Sequence, residues 1–230
     1  MKIRKDYKYI LFDLDRTLWD FDANARNNIY QLLDKYNVPV GDKSEFFEQY
    51  EQINHILWAG YEKGDIKKEE LRWLRFHKAF NLYGIDDENF SKEFGEVYLD
   101  EMPNQNILMP HAMEVLEKLH MKGIKMAVVS NGFKEVQYRK LNKSGIDKFF
   151  QAVMISEEQG VHKPCPIIFK RAIKAIGGDK KETLMVGDDF ANDIEGAMIF
   201  GIDQFFYNYK NTPCDGGPTY ESDDLRDLLI

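Results

Sequence analysis

Two carboxylates, Asp13 and Asp15, separated only by Leu14, close the apolar run of "YKYILFDLDRTLWDF" over residues 7–21. Burying one such charge is expensive unless a cation or hydrogen bonds compensate it. On a strand, positions i and i+2 project to the same face, so these acids share a side while Phe12 and Leu14 take the other. Two carboxylates that close do not both ionise comfortably without a cation, and an oxygen-rich pair of this type suits Mg²⁺. They also stand at the carboxyl end of their strand, the edge where open α/β sheets bind ligands. Taken alone, D-x-D-x-T reads equally well as a polar strand end with Asp15 capping the next turn.

Three further segments change that balance. "MVGDDFANDIEGA" ends another apolar run in Asp188 and Asp189, with Asp193 following. If this strand lies beside the first, an acid from each completes a divalent-metal site. Asp189 or Asn192 reads alternatively as the cap of the helix that follows. "VVSNGF" ends a strand in Ser130 and Asn131 before Gly132. Hydroxyl, amide and free backbone N–H groups at a helix start form a small anion cradle, although a plain Ser/Asn turn has the same sequence. "GVHKPCPIIF" places Lys163 before Pro164 at a helix start. A lone lysine is usually solvated, yet this one is the cation that the other groups lack.

The elements that must position these residues are short apolar runs alternating with amphipathic segments. "IKMAVVSN", "QAVMIS", "TLMVGDD" and "DQFFYN" resemble the first run, as expected for strands of a parallel sheet buried on both faces. Between them lie helix-like stretches closed by Gly123, Gly145, Gly177 and Gly201, glycine being the usual helix stop. Strand alternating with helix from residue 108 onward implies an α/β fold with a doubly wound, Rossmann-like parallel sheet. Residues 20–105 carry no convincing strand. Ile29, Leu32, Leu33 and Tyr36, then Phe46, Tyr50, Ile53 and Leu57, repeat at i, i+3, i+4, i+7, and Trp73, Phe76, Phe80, Phe90, Phe94 and Val97 continue the pattern. The expected organisation is therefore a core domain of residues 1–19 and 106–230 with an all-helical domain of residues 20–105 inserted. The tail carries turn chemistry at Asp215 to Pro218, then a short closing helix.

Composition narrows the partners. The 230 residues are 43% apolar and 30% charged, with a net charge of −8 and dispersed basic residues. That excludes the electrostatic footprint of a binder of polymeric nucleic acid or anionic membranes, and no run approaches the length of a membrane span. Cys165 and Cys214 are too few for a disulfide framework and lack metal-ligand spacing, which fits a cytoplasmic setting. A monomer and a small homo-oligomer fit equally.

D-x-D-x-T, S-N at a strand end, K-P and G-D-D-x-x-N-D occur here in that order on successive strands. Together they resemble the haloacid dehalogenase-like (HAD) hydrolase superfamily over nearly the whole chain, and the helical insert looks like that family's C1-type cap domain. "DLDRTLWDF", "SNGFKEVQYRKLNKSGIDKFF", "ISEEQGVHKP" and "LMVGDDFANDIEGA" are similar to its YjjG/YfnB branch. This resemblance implies a Mg²⁺-dependent phosphomonoesterase, a 5′-nucleotidase preferring pyrimidine nucleoside monophosphates. It further implies that Asp13 is the nucleophile forming an aspartyl-phosphate and that Asp15 is the general acid and then base. By the same resemblance Mg²⁺ is held by Asp13, the Asp15 backbone carbonyl and Asp188, and phosphoryl oxygens by Ser130, Asn131 and Lys163. Asp189, Asp193 and Thr17 support this set, Asp193 by orienting Lys163 or metal-bound waters. A sugar-phosphate phosphatase is the near alternative; a phospho-accepting regulatory domain without turnover is the distant one. A dehalogenase has no use for Asp15. Arg16, His111 and His162 depart from the family pattern and carry no assigned role.

Overall fold

The computed structural model describes residues 3–214 and 216–229. The chain divides into two compact units, Met1–Phe21 with Asn106–Ile230, and Asp22–Gln105.

The first unit holds β1 (Tyr9–Phe12), β2 (Lys125–Ser130), β3 (Phe150–Ile155), β4 (Thr183–Gly187), β5 (Asp203–Tyr207) and β6 (Tyr220–Ser222) in one sheet of order β3-β2-β1-β4-β5-β6. Every pairing is parallel. Parallel neighbours need crossovers, and α5 (Ala112–Met121), α6 (Lys134–Ser144), α7 (Ser156–Gln159), α8 (Pro166–Ala175) and α9 (Gly196–Phe200) lie between the strands in sequence. This is the α/β Rossmann-like architecture that the alternating runs imply. Leu11, Ala127, Val129 and Met185 from the sheet are buried against Ile168, Phe169, Ala172 and Ala197 from the helices. At typical transfer energies each of the larger of these side chains, Leu11, Val129, Met185, Ile168 and Phe169, contributes about 1.5–3 kcal/mol to folding.

The tail differs from expectation. β6 is a sixth strand where the sequence suggests only a turn, and the closing helix is a 3₁₀ segment, Leu225–Leu228; Asp215 lies outside the described residues. Strand β6 has three residues and no alternation long enough to register as a pattern.

Register sets the site. Phe12 pairs with Val128 on one side and Val186 on the other, so β1 is central and its carboxyl end opens between those of β2 and β4. Asp13 N–H extends the ladder by donating to Val186 O at 2.9 Å.

The second unit contains α1 (from Asp22 to Lys35 within Phe21–Lys35), α2 (Lys43–Lys63), α3 (Lys68–Asn81) and α4 (Glu88–Glu101). Its core is aromatic: Tyr50 stacks on Phe76 with centroids 5.0 Å apart, and Phe80 meets Phe94 at 5.1 Å. Asp42 caps α2 by accepting from Ser44 N at 2.7 Å. Arg75, buried in this core, donates to Asn54 Oδ1 at 3.1 Å and lies 5.0 Å from the Tyr98 ring centroid. Apolar spacing gives no hint of that cation.

Candidate active site

The first loop of the site folds on itself. Leu18 and Trp19 N–H both donate to Leu14 O at 2.9 Å, and Arg16 N–H donates to Trp19 O at 2.8 Å. Closing so tight a turn puts Arg16 at φ 66°, unusual for a residue with a side chain. Its guanidinium rests 4.5 Å from the centroid of the Phe21 ring. Thr17, fully buried, donates to Asp188 Oδ1 at 3.2 Å, tying the β1 loop to the end of β4.

Asp13, Asp188 and Asp193 present carboxylate oxygens all within 4.8 Å of one another. Lys163 Nζ lies 2.5 Å from Asp13 Oδ1 and 2.7 Å from Asp193 Oδ1. Gly187 makes this convergence possible, since a Cβ there would fall 2.2 Å from Asp193 Oδ2. Asp189 takes the capping alternative: it accepts from Asn192 N at 3.0 Å, while its own N–H donates to Asp193 Oδ2 at 3.2 Å. The cap begins a π-helical segment, Phe190–Glu195, that runs into α9.

On the other flank, Ser130 Oγ accepts from Gly132 N at 3.2 Å and Gln137 Nε2 at 2.7 Å. With two donors already on that oxygen, its proton is what remains to offer an anion. The Asn131 amide is committed to the Lys163 backbone, Oδ1 accepting from Lys163 N at 2.9 Å and Nδ2 donating to Lys163 O at 3.1 Å. It braces the lysine loop, a role the sequence does not announce. Asp15 accepts from Lys140 Nζ at 2.6 Å and Gln137 Nε2 at 2.7 Å. Neither partner is foreseen from sequence: Gln137 and Lys140 read as ordinary polar positions of an amphipathic helix. The one signal available is their i, i+3 spacing beside Val136 and Leu141, the apolar residues of the buried face of α6. His111 stands apart, 3.4 Å from Glu114.

Electrostatics follow from burial. Burial raises Asp13 above the ordinary carboxylate value, opposed by Lys163. Burial and then Asp13 push Asp188 up to about 8, and burial holds Asp193 well above its ordinary value. Burial pulls Lys163 down, but Asp13 and Asp193 outweigh it and hold the ammonium above its usual range. Two buried carboxylates, Asp13 and Asp193, and the partly buried Asp188 thus gather around the Lys163 ammonium. Such an acid-rich, all-oxygen set fits a hard divalent cation, which supplies the missing positive charge and prefers these ligands.

A model of the haloacid dehalogenase-like hydrolases matches residues 7–201. The chain belongs to the haloacid dehalogenase-like hydrolase family. The likeness read from four motifs therefore holds, and as a haloacid dehalogenase-like hydrolase the protein is an enzyme. Among its relatives, the pyrimidine 5′-nucleotidase PynA of Streptococcus pneumoniae is 34% identical over 97% of this chain and 94% of its own length. Pyrimidine 5′-nucleotidase YjjG of Escherichia coli is 28% identical over 96% of both. The solved structure of the HAD-hydrolase YfnB from Bacillus subtilis, bound to magnesium, aligns with a TM-score of 0.87 at 28% identity, covering 97% of each chain.

Proposed function

We propose that the protein is a Mg²⁺-dependent phosphomonoesterase acting on nucleoside 5′-monophosphates, with pyrimidine nucleotides such as dUMP, dTMP and UMP preferred. The observation that carries the chemistry is the meeting of Asp13, Asp188, Asp193 and Lys163 at the end of β1 and β4. The substrate class rests on the likeness to PynA and YjjG. The helical unit, Asp22–Gln105, is assigned as the cap that selects the nucleoside.

Asp13 and Asp188 side chains and the Asp15 backbone carbonyl would hold Mg²⁺, which when bound supplies charge neutralisation to the phosphoryl group. Asp13 Oδ attacks phosphorus, and the bond to the leaving oxygen breaks as Asp15 gives that oxygen its proton. An aspartyl-phosphate on Asp13 results. Asp15 then takes a proton from water, whose oxygen attacks the same phosphorus, releasing inorganic phosphate and restoring Asp13. Ser130 O–H and the Lys163 ammonium offer donors to the phosphoryl oxygens, and their fixed positions supply most of the rate. Asp193 keeps Lys163 in place. With Mg²⁺ held by those acids, its charge, the Lys163 ammonium and the Ser130 hydroxyl would favour a dianionic phosphate despite the overall charge of −8.

The test is phosphate release from a panel of pyrimidine and purine nucleotides and sugar phosphates, with Mg²⁺ and with EDTA. Faster release from pyrimidine nucleotides, lost in EDTA and in Asp13→Asn, is the expected result. Preference for sugar phosphates overturns the substrate assignment, and an unchanged rate in Asp13→Asn overturns the mechanism.

A further inference from the structure

Asp15 is held from behind by two residues that the chemistry above does not use. Lys140 Nζ meets Asp15 Oδ1 at 2.6 Å, with side chains 3% and 24% exposed. Gln137 Nε2 meets the other oxygen, Oδ2, at 2.7 Å, and the same nitrogen donates to Ser130 Oγ at 2.7 Å. One amide therefore joins the phosphoryl-binding hydroxyl to the acid-base carboxyl.

Several features show that this contact is built. The Lys140 ammonium lies 4.2 Å from the centroid of the Trp19 ring, in the loop that carries Asp15, and 5.4 Å from that of Phe21, where the loop enters α1. Aromatic faces attract a cation and exclude water from it. Gln137 Oε1 is buried and finds no hydrogen-bond partner among the described residues. An orphaned carbonyl costs stability, and it is left so because Asp15 and Ser130 both take a donor from the amide. Gly132 leaves room for the amide, since a Cβ there would stand 2.2 Å from Gln137 Nε2.

We infer that Lys140 and Gln137 are positioning residues that fix the plane and rotamer of the Asp15 carboxyl for proton transfer to the leaving oxygen and from the attacking water. Each Asp15 oxygen receives one donor and keeps a second lone pair, where the transferred proton is carried. A carboxyl free to rotate loses much of what an oriented acid contributes. This rests on the phosphomonoesterase reading and deepens it. The competing role, a buried ion pair that holds α6 to the first loop, gives no dependence on the leaving group.

Leaving-group dependence is therefore the test. Uridine 5′-monophosphate expels an alkoxide that needs protonation, whereas p-nitrophenyl phosphate expels a stable phenolate that does not. Single-turnover release of the leaving group isolates that step from the later attack of water, which uses Asp15 on either substrate: Lys140→Met is expected to slow it by about 10–100-fold on the nucleotide and by no more than about threefold on the aryl ester. Lys140→Arg keeps a donor over the rings and recovers part of the nucleotide rate. Gln137→Leu reproduces the leaving-group selectivity and supplies the comparison if Lys140→Met does not fold. Equal losses in this first step on both substrates, or no loss on either, overturn the positioning role. Wild-type protein inactive on both overturns the phosphatase reading itself, a separately recognisable result.

Discussion

Lys163 Nζ and Asp13 Oδ1 are 2.5 Å apart, with side chains 3% and 10% exposed. The same ammonium serves Asp193, so removing it leaves two buried acids without their cation. Breaking a buried pair by deleting one partner costs about 3–5 kcal/mol. Lys163→Met is expected to lose stability of that order in urea unfolding, and adding Asp193→Asn to it should recover part of the loss. Strictly additive destabilisation of the two substitutions would count against the coupling.

Asp188 gives a pH prediction. Its carboxyl is raised from an ordinary 3.8 to about 8. A raised folded value means that the metal-free folded state binds the extra proton, so this contribution to stability is complete below about 4 and lost as pH climbs toward 8. Mg²⁺ takes the ionised form and must displace that proton at low pH. Calorimetric titration should show affinity for Mg²⁺ rising by up to about tenfold per pH unit below 8 and levelling above it. Affinity that is flat from pH 6 to pH 9 would remove the prediction.

Gly187 faces Asp193 at a distance no side chain tolerates, because a Cβ at this position would stand 2.2 Å from Asp193 Oδ2. Gly187→Ala should push Asp193 away from Lys163 and destabilise the fold by about 1–3 kcal/mol. Thermal unfolding measures the cost, and phosphate release should fall with it. A variant as stable and active as wild type would show that the strand end is freer than its packing indicates.

Ser130 and Asn131 are neighbours with different expected readouts. Ser130→Ala removes the hydroxyl proposed to donate to the phosphoryl group and should weaken inhibition by inorganic phosphate. Asn131→Ala removes the brace on the Lys163 backbone, costing about 1 kcal/mol in unfolding. The inhibition constant for phosphate should move less in Asn131→Ala than in Ser130→Ala; the reverse order would make Asn131 the direct contact.

The legible parts of this chain are those where polarity interrupts a strand. Asp13, Ser130 and Asp188 each end an apolar run, and because parallel strands share one carboxyl edge, sequence order alone assembles them. Lys163 is legible only by company, since nothing local separates a buried lysine from a solvated one. Gln137 and Lys140 are hidden because helical periodicity marks apolar faces, and here polar groups occupy part of the buried face of α6. Arg75 in the helical unit is hidden for the same reason. Strand β6 escapes because its three residues are too few for any period.

The central place of β1 has a consequence for biogenesis. Tyr9 must find Lys125 on one edge and Thr183 on the other. On the ribosome the first strand emerges well before its partners, at a pace of about 5–20 residues per second. Until then both flanks of that apolar ribbon are open to foreign strands. The helical insertion, fully synthesised by Gln105, can settle while the ribbon waits. Premature termination before Thr183 would thus release an aggregation-prone product carrying Asp13 but none of the β4 acids.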